Sequence, residues 1–363
     1  MKSSSNKLRN ELLKIYEAGG YSSINSFIET CELALKNERN ELDLSTNLKD
    51  ERLLKIFKSK KGEILFGNSL KWLHSSANKN KVNLIITSPP FGLTRKKPYG
   101  NKASDEYCAW FRGFAEGFKN VLKDDGSLVI DIAGTWQKGS PVRNLYHFDL
   151  LLMLCREYGF HLCQEHYWWN PGRLPSPAQW VNVERSRVKD AVNCIWWLSK
   201  SKNPKASNLN ILGSYSKSMN NALRNGAHQG LRPSGHNISK NFNKNNGGSI
   251  PPNLLAFSNT ESKGDYFDYC RQQQLPIHPA RFPQSLPEYF IRFLTNKDDL
   301  VIDPFGGSSI TGYVAEKLDR RWKSIELNYE YALGGIGRFN KNIPYKSFEG
   351  KYEIPTPFSL ESY

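Results

Sequence analysis

The stretch Val82-Asn83-Leu84-Ile85-Ile86-Thr87-Ser88-Pro89-Pro90-Phe91 decides the fold that we predict for this chain. Its first five residues form a short β-branched, apolar run, which is typical of a buried strand. The two prolines end that strand, because proline has no backbone N–H to donate and its φ is restricted. The chain is therefore expected to make a rigid turn at the carboxyl end of a strand, where open α/β sheets bind their ligands.

This turn also presents the groups that can hold a planar amino group on a ring. The Ser88 hydroxyl and the Pro89 carbonyl can both accept hydrogen bonds, and the Phe91 ring stands beside them. An ordinary strand-terminating Pro-Pro loop has the same local sequence. The turn alone therefore leaves a binding role and a purely structural role open.

Composition indicates a folded protein with a polyanionic partner. The 363 residues are 39% hydrophobic and 12% aromatic, enough to bury the core of one large domain or two modest ones. The formal charge of +15 favours nucleic acid as the partner. The six cysteines are scattered without metal-type spacing, which predicts free thiols in a reducing cytosol and no metal site. The polar start predicts no signal peptide, and no apolar run is long enough to cross a membrane.

The rest of the chain reads as alternating strands and helices around the Pro-Pro turn. Residues 6–58 are predicted to be helical, and a helix over residues 69–74 completes a β-α-β unit with the strand before Ser88. The strand that ends at Asp131 places an acid at its carboxyl end. The strands at 161–169 and 191–198 are expected to pair antiparallel at a sheet edge. The predicted strands other than the one before Ser88 cover residues 63–67, 127–131, 161–169, 191–198, 300–303 and 322–326.

A polar region interrupts this pattern between residues 199 and 262. Asn, Ser, Lys and Gly dominate it and apolar periodicity disappears, which predicts a polar binding insertion or a disordered segment. A loop at residues 170–177 with three prolines and a glycine precedes it. Basic side chains of this loop and this region can donate to phosphates and guanine edges. The DNA-binding candidates are Arg173, Arg232, His236, Lys240 and Lys244.

A second strand-turn-helix unit, Leu300 to Leu318, reads as a nucleoside site. Its glycines Gly306 and Gly307 let the backbone approach a ligand closely, and Glu326 follows about 20 residues later, where an acid suits ribose hydroxyls. The G-x-G-x-x-G spacing of dinucleotide sites is missing. Asp303 at the turn would repel a pyrophosphate but suits a cation. The turn therefore fits S-adenosyl-L-methionine, a nucleoside with a sulfonium and an ammonium, better than NAD.

The two motifs together resemble those of S-adenosylmethionine-dependent DNA amino-methyltransferases. Thr87-Ser88-Pro89-Pro90-Phe91 resembles the catalytic motif, and Asp303-Pro304-Phe305-Gly306-Gly307-Ser308 resembles the cofactor motif. The catalytic motif comes first, as in the circularly permuted β-group. Serine before Pro-Pro resembles the cytosine-N4 enzymes of type II restriction–modification systems, whereas adenine-N6 enzymes more often carry Asp or Asn there. The resemblance runs from about residue 60 to 340.

The resemblance implies an α/β protein with the Rossmann-like methyltransferase fold, a seven-stranded mixed sheet and a DNA target-recognition insertion. It implies a monomer that methylates a flipped-out cytosine in duplex DNA and so protects host DNA from a cognate restriction endonuclease, in the cytoplasm at the nucleoid. The predicted segments are a helical extension, a catalytic half, a target-recognition region, a cofactor-binding half and a tail, at residues 1–58, 59–199, 200–270, 271–345 and 346–363.

Site residues follow from the resemblance residue by residue. Ser88, Pro89, Pro90 and Phe91 form the catalytic turn, and Asp131 is a further candidate that orients the cofactor or stabilises positive charge on the nitrogen. The Asp303–Ser308 turn holds the methionine part of the cofactor and Glu326 its ribose. Asn68 falls where the family has an acid for the adenine amino group. The segment from His278 to Phe282 closes over the cofactor.

Three alternatives remain open at this point. An adenine-N6 DNA methyltransferase shares the fold and the motif order. An NAD-dependent dehydrogenase would use the glycine turn for a different cofactor. A non-catalytic DNA-binding regulator would account for the charge alone.

Overall fold

The structure, a computed structural model, describes residues 53–92, 102–104, 106–226, 230–231, 237–238, 244–259 and 263–339. The chain divides into two units, Met1–Arg52 and Leu53–Tyr363, and the described residues all belong to the second. Most of the helical extension predicted for residues 6–58 therefore lies outside the described residues. Its last residues correct that prediction, because Leu54–Lys58 forms a strand, β1. Antiparallel pairing with the next strand, Leu54 opposite Phe66, explains the difference.

A mixed sheet forms the centre of the second unit, with nine strands among the described residues. After β1, the other strands of this sheet are β2 Gly62–Phe66, β3 Val82–Thr87, β4 Leu122–Ile132, β5 His161–Trp169, β6 Val192–Ser199, β9 Leu254–Ala256, β10 Leu300–Asp303 and β11 Arg321–Glu326. Their spatial order is β1-β2-β11-β10-β3-β4-β6-β5-β9. The predicted α/β class is confirmed, and the predicted count of seven strands is corrected by β1 and β9, one at each edge.

The middle of the sheet is parallel, which brings several strand ends to one rim. β2, β11, β10, β3 and β4 pair parallel in that spatial order. The predicted antiparallel pair is present, since β6 runs antiparallel to both β4 and β5. It does not form the edge, however, because β9 adds parallel to β5. The chain order reverses between β10 and β3, and ligands of open α/β sheets bind at such switch points.

Helices cover both faces of the sheet. Successive side chains of a strand point to opposite faces of the sheet. The contacts of Trp196 and Trp197, neighbours in β6, therefore show which helix packs on each face. Trp196 stacks on His147 with ring centroids 6.3 Å apart, and Trp197 packs edge-on to Phe293 at 5.0 Å. The helices are α1 Ser69–His74, α2 Tyr107–Val121, α3 Tyr146–Arg156, α4 Lys217–Asn225, α5 Asp265–Gln272, α6 Ser285–Leu294, α7 Ile310–Lys317 and α8 Tyr329–Gly335. α3 therefore lies on one face and α6 on the other.

The polar region after residue 199 contains local structure and also contributes to the sheet. α4 lies within it, and a small hairpin follows, formed by β7 Gly230–Leu231 and β8 Asn237–Ile238. The region then supplies β9, which pairs with β5 through Tyr167 opposite Leu254. Within the described residues, no helix is long and apolar enough to cross a membrane.

Candidate active site

The two predicted motifs meet at the carboxyl ends of β3 and β10. These strands are neighbours, with Ile85 opposite Ile302. Just beyond that pair, the buried Thr87 donates a hydrogen bond from Oγ1 to Asp303 Oδ1 at 2.7 Å. The bond joins residues 216 positions apart in the chain. The prediction that both turns lie at the same rim is therefore confirmed.

The catalytic turn is held by an acid from the neighbouring strand β4. Ser88 Oγ donates to Asp131 Oδ2 at 3.0 Å, and Asn193 Nδ2 donates to Asp131 Oδ1 at 2.9 Å. Burial raises the pKa of Asp131 to about 6, although the hydrogen bonds from Asn193 and Ser88 act in the opposite direction. Asp131 is therefore mostly ionised at neutral pH, and the Ser88 hydroxyl hydrogen points at its carboxylate.

The rest of this turn is packed against the loop that follows β4. Pro89 is buried, whereas Pro90 and Phe91 are half-buried. The Gly92 carbonyl accepts a hydrogen bond from Thr135 Oγ1 at 3.0 Å. The turn is thus fixed at Ser88 by Asp131 and at its far end by Thr135.

Asp303 holds the predicted cofactor turn, Asp303–Ser308, in place. Besides the bond from Thr87, its Oδ1 accepts from the Phe305 backbone N–H at 3.1 Å, and its Oδ2 accepts from Thr311 Oγ1 at 2.9 Å. Burial raises the pKa of Asp303 to about 6 against the effect of these three donors. The carboxylate therefore ties the end of β3, the turn and the start of α7 together.

The glycines of this turn pack closer to their neighbours than a side chain would allow. Gly307 has a φ of +48°, and a Cβ there would come within 3.3 Å of the His278 ring. At Gly306 a Cβ would come within 2.2 Å of Ser324 Oγ. Pro304 and Ser308 are buried on either side, and the Phe305 ring packs on Phe114 of α2 at 4.8 Å.

Glu326 closes the turn from the end of β11. Its Oε2 accepts from the Gly307 backbone N–H at 2.6 Å, and its Oε1 accepts from the Asn328 N–H at 2.8 Å. Burial raises the pKa of Glu326 to about 7. Asn68, one residue past Gly67, lies close by because the Gly67 N–H donates to the Glu326 carbonyl at 2.9 Å. Asn68 Oδ1 accepts from the Leu70 N–H at 3.0 Å and so caps α1.

The segment from His278 to Phe282 lies beside the glycine turn. The His278 ring meets Tyr331 of α8 edge-on at 4.6 Å and stands over Gly307. Burial lowers the pKa of His278 to about 4, so the ring is neutral at physiological pH. Phe282 is buried in the core. The structure thus brings His278 to the predicted cofactor turn, whereas Phe282 packs in the hydrophobic core.

The predicted DNA-binding residues are only partly placed. Arg173 is half-buried and donates from Nη1 to Asn193 Oδ1 at 3.0 Å, and Lys244 is exposed. Arg232, His236 and Lys240 lie outside the described residues. Among the described residues, no group of three or more His, Cys, Asp or Glu side chains is arranged to hold a metal ion.

Several residues that hold the site together were not predicted from the sequence. Thr311 and Asn193 complete the bonds to Asp303 and Asp131. Asp190 joins two loops, because its Oδ2 accepts from Trp136 Nε1 at 2.7 Å and from Arg143 Nη1 at 2.6 Å. The one sequence signal was a polar residue within an otherwise apolar run, as for Asn193 in Val192–Ser199.

Comparison with known proteins identifies the family. A sequence profile described as DNA methylase, N6_N4_Mtase, matches residues 82–334. The chain belongs to this DNA methylase family. Among related proteins, the type II methyltransferase M.PvuII of Proteus hauseri is 48% identical over 284 residues, which cover 77% of this chain and 84% of that protein. The type II methyltransferase M.BglII of Bacillus subtilis is 25% identical over 275 residues, which cover 73% of this chain and 67% of that protein.

A solved DNA methylase structure agrees with this assignment. The structure described as PvuII DNA methyltransferase (cytosine-N4-specific) superposes with a TM-score of 0.66 at 41% identity, covering 81% of this chain and 92% of that chain. The predictions of a DNA amino-methyltransferase and of its Rossmann-like fold are confirmed. The family match favours neither a dehydrogenase nor a non-catalytic regulator.

Proposed function

We propose that this DNA methylase transfers a methyl group from S-adenosyl-L-methionine to the exocyclic N4 of a flipped-out cytosine in double-stranded DNA. The observation that carries the proposal is the serine of the Ser-Pro-Pro-Phe turn, bonded to Asp131 and joined through Thr87 to the cofactor turn. The likeness to a methyltransferase described as cytosine-N4-specific supports cytosine as the base. We assign it to a type II restriction–modification system.

The chain's own residues fit the proposed cofactor. Gly306 lets the turn pack against Ser324, and Gly307 lets its backbone lie close to the His278 ring. Asp303 gives this turn the negative charge that a cation requires, and Glu326 can accept hydrogen bonds from ribose hydroxyls. The neutral His278 ring lies against this turn, and Asn68 lies near Glu326. When bound, S-adenosyl-L-methionine supplies a methyl group on a positively charged sulfur, which is an activated leaving group.

Ser88 and Pro89 prepare the amine of the base. The lone pair of this nitrogen is delocalised into the cytosine ring, and it must be localised on nitrogen before it can attack. Because Ser88 Oγ donates its hydrogen to Asp131, it can accept one hydrogen of the amine, and the Pro89 carbonyl can accept the other. Phe91 stacks on the flipped ring, and Pro90 keeps the turn rigid. Positioning supplies most of the rate enhancement.

Asp131 balances the charge that the reaction creates. The nitrogen becomes positive as it gains the methyl group and then loses one proton. The Ser88 hydroxyl passes its own proton to the Asp131 carboxylate and takes the proton of the amine. A carboxyl pKa of about 6 suits this step, because the group is ionised at neutral pH yet accepts a proton readily.

DNA recognition and biological role complete the proposal. The region of residues 200–270 recognises the target sequence. The contacts to phosphates and bases come from Arg173 of the loop at residues 170–177 and from Arg232, His236, Lys240 and Lys244 of this region. The net charge of +15 supports an electrostatic contribution to DNA affinity. The enzyme acts as a monomer in the cytoplasm, at the nucleoid, and protects host DNA from a cognate restriction endonuclease.

Analysis of the modified base tests the function. Purified protein is incubated with plasmid DNA and methyl-labelled S-adenosyl-L-methionine, and the DNA is digested to nucleosides for mass spectrometry. We expect N4-methylcytosine, at one sequence context when the same DNA is read by modified-base sequencing. Label in N6-methyladenine alone would overturn the base assignment, and no label in DNA would overturn the activity.

We further predict that cofactor affinity rises with pH between about 5.5 and 7.5. Asp303 and Glu326 have pKa values raised by burial to about 6 and about 7, so each is partly protonated in this range without the cofactor. The cation favours the ionised form of Asp303, and ribose hydroxyls favour the ionised form of Glu326 as their acceptor. Binding therefore releases protons and tightens as pH rises. Calorimetry across this range in two buffers of different ionisation enthalpy measures both effects.

Glu326→Gln is the matched control for this pH dependence. The amide oxygen can still accept from one backbone N–H, but the group no longer titrates. We expect weaker binding with a flatter dependence on pH. Affinity that stays constant or falls as pH rises in the wild-type protein would contradict the prediction.

A further inference from the structure

A line of hydrogen bonds connects Ser88 with strand β6 and with the loop of residues 170–177. Ser88 Oγ bonds Asp131 Oδ2 at 3.0 Å, and Asn193 Nδ2 bonds the other oxygen, Oδ1, at 2.9 Å. Arg173 Nη1 then bonds Asn193 Oδ1 at 3.0 Å. Each oxygen of the carboxylate thus receives one donor, and the line ends at a cation on the loop of residues 170–177.

The burial of the Asn193 side chain lowers the stability of the fold unless its amide nitrogen and its amide oxygen both form hydrogen bonds. Asn193 is 3% exposed, in strand β6, whose neighbouring residues are largely apolar. A buried amide without partners destabilises the fold, whereas here its nitrogen and its oxygen each have one. A hydrophobic residue would fill this strand position without needing partners. We therefore infer that the role of this asparagine lies in its hydrogen bonds to Asp131 and Arg173.

Arg173 decides which way the amide faces. Arginine can only donate hydrogen bonds, so it binds the oxygen of Asn193 and leaves the nitrogen toward Asp131. The nitrogen then donates to the carboxylate, which it stabilises in the ionised form. The positive charge of Arg173 acts in the same direction on Asp131.

We propose that Asn193 and Arg173 are positioning residues, which hold the Asp131 carboxylate in the ionised form and in the orientation that Ser88 requires. The inference rests on the proposed function, because it assigns Asp131 a role in the same reaction. It adds a layer of residues that do not touch the base or the cofactor. It also gives Arg173 a task inside the protein in addition to its proposed contact with DNA.

The other ionisable groups around Asp131 keep a constant charge in the relevant pH range. Tyr146 of α3 and Cys194 of β6 both interact with it electrostatically. Burial raises the pKa of each of these two groups above its ordinary value, so both are neutral below pH 8. Arginine side chains are always protonated in proteins. Among these neighbours, Asp131 is therefore the group whose charge changes between pH 5 and 8.

The Asn193→Leu variant tests the proposal through its pH profile. Single-turnover methylation of a duplex containing the identified site is followed from pH 5 to pH 8.5, at saturating DNA and cofactor. Loss of one hydrogen bond to a charged group should move the acidic limb of the profile upward by about one pH unit. At acidic pH, where the wild-type rate also falls with pH, the variant should be about tenfold slower than the wild-type protein. At pH 8.5 the difference between the two rates should be much smaller. Affinities for DNA and for the cofactor should stay at their wild-type values.

Asn83→Leu is the matched control. Asn83 is also 3% exposed and also lies in the central sheet, but its Oδ1 accepts from the Leu300 N–H at 3.1 Å, near the amino end of β3. This variant should lose stability without any shift of the pH profile. The comparison separates an effect on Asp131 from the general cost of removing a buried amide.

Two further variants keep the proposal testable if Asn193→Leu fails to fold. Asn193→Asp keeps the shape but places a second carboxyl beside Asp131, so the upward shift should be larger than for leucine. Arg173→Leu lets the amide rotate and should give a smaller shift in the same direction. If the folded Asn193 variants have the same acidic limb in their pH profile as the wild-type protein, the positioning role is wrong. A wild-type protein that makes no N4-methylcytosine in this assay would instead overturn the proposed function.

Discussion

Ser88→Ala is expected to lower single-turnover methylation at least about a hundredfold, the usual size of a positioned acid–base contribution. The change removes an acceptor for the amine and breaks the path from the amine to Asp131. It leaves Thr87 and the cofactor turn in place, so affinities for DNA and for the cofactor should change little. Rapid-quench kinetics measure the rate, and fluorescence anisotropy and calorimetry measure the two affinities.

Ser127→Ala is the matched control for the serine variant. Ser127 lies in the same sheet, is fully buried, and accepts a hydrogen bond from Trp197 Nε1 at 2.9 Å. Its removal should lower the melting temperature and leave the methylation rate of the folded protein unchanged. Near wild-type turnover by the Ser88 variant would remove this hydroxyl from the mechanism.

Asp303→Ala is expected to abolish cofactor binding and to lower the free energy of unfolding by about 3 kcal/mol, because buried donors lose their acceptor. The three donors are Thr87 Oγ1, Thr311 Oγ1 and the Phe305 backbone N–H. The turn that the carboxylate braces should then lose its shape. Chemical denaturation measures the stability, and calorimetry measures the affinity.

Asp303→Asn separates the charge of this residue from its bracing role. The amide oxygen can still accept from Phe305, and the amide nitrogen can donate to the Thr311 hydroxyl. Most of the stability should therefore remain, whereas affinity for a cationic cofactor should fall. Asp299→Ala at the other end of β10 is the control, since Asp299 pairs with Lys205 at 2.9 Å and should affect stability only. Unchanged cofactor affinity in Asp303→Asn would contradict a role for the charge.

Local patterns predicted most elements of the fold. The helix at Ser69–His74 and the strand at His161–Trp169 have the predicted bounds, and β3 extends only one residue past the prediction. Such elements carry clear signals, because apolar periodicity and turn residues act over a few positions. The two edge strands were missed for the opposite reason. β9 has three residues in a polar region, and β1 lies in a segment that resembles a helix.

The candidate site was predicted in its motifs but not in its supporting contacts. Ser88, Asp303, Gly307 and Glu326 lie together as expected. Asn193 was not foreseen, because nothing in the run Val192–Ser199 states which residue its amide will face. Arg173 was predicted to bind DNA, and its bond to Asn193 depends on how the loop of residues 170–177 folds back on β6.

The sequence by itself determined the family, the order of the motifs and the residue types that the chemistry needs, because each depends on neighbours a few positions apart. Only the tertiary structure decided which groups share a hydrogen bond. Thr87 and Asp303 meet because parallel pairing places β3 beside β10, although more than 200 residues separate them in the chain. The charges of Asp131, Asp303 and Glu326 also depend on the fold, since burial raises the pKa of a carboxyl group only once the protein has closed around it.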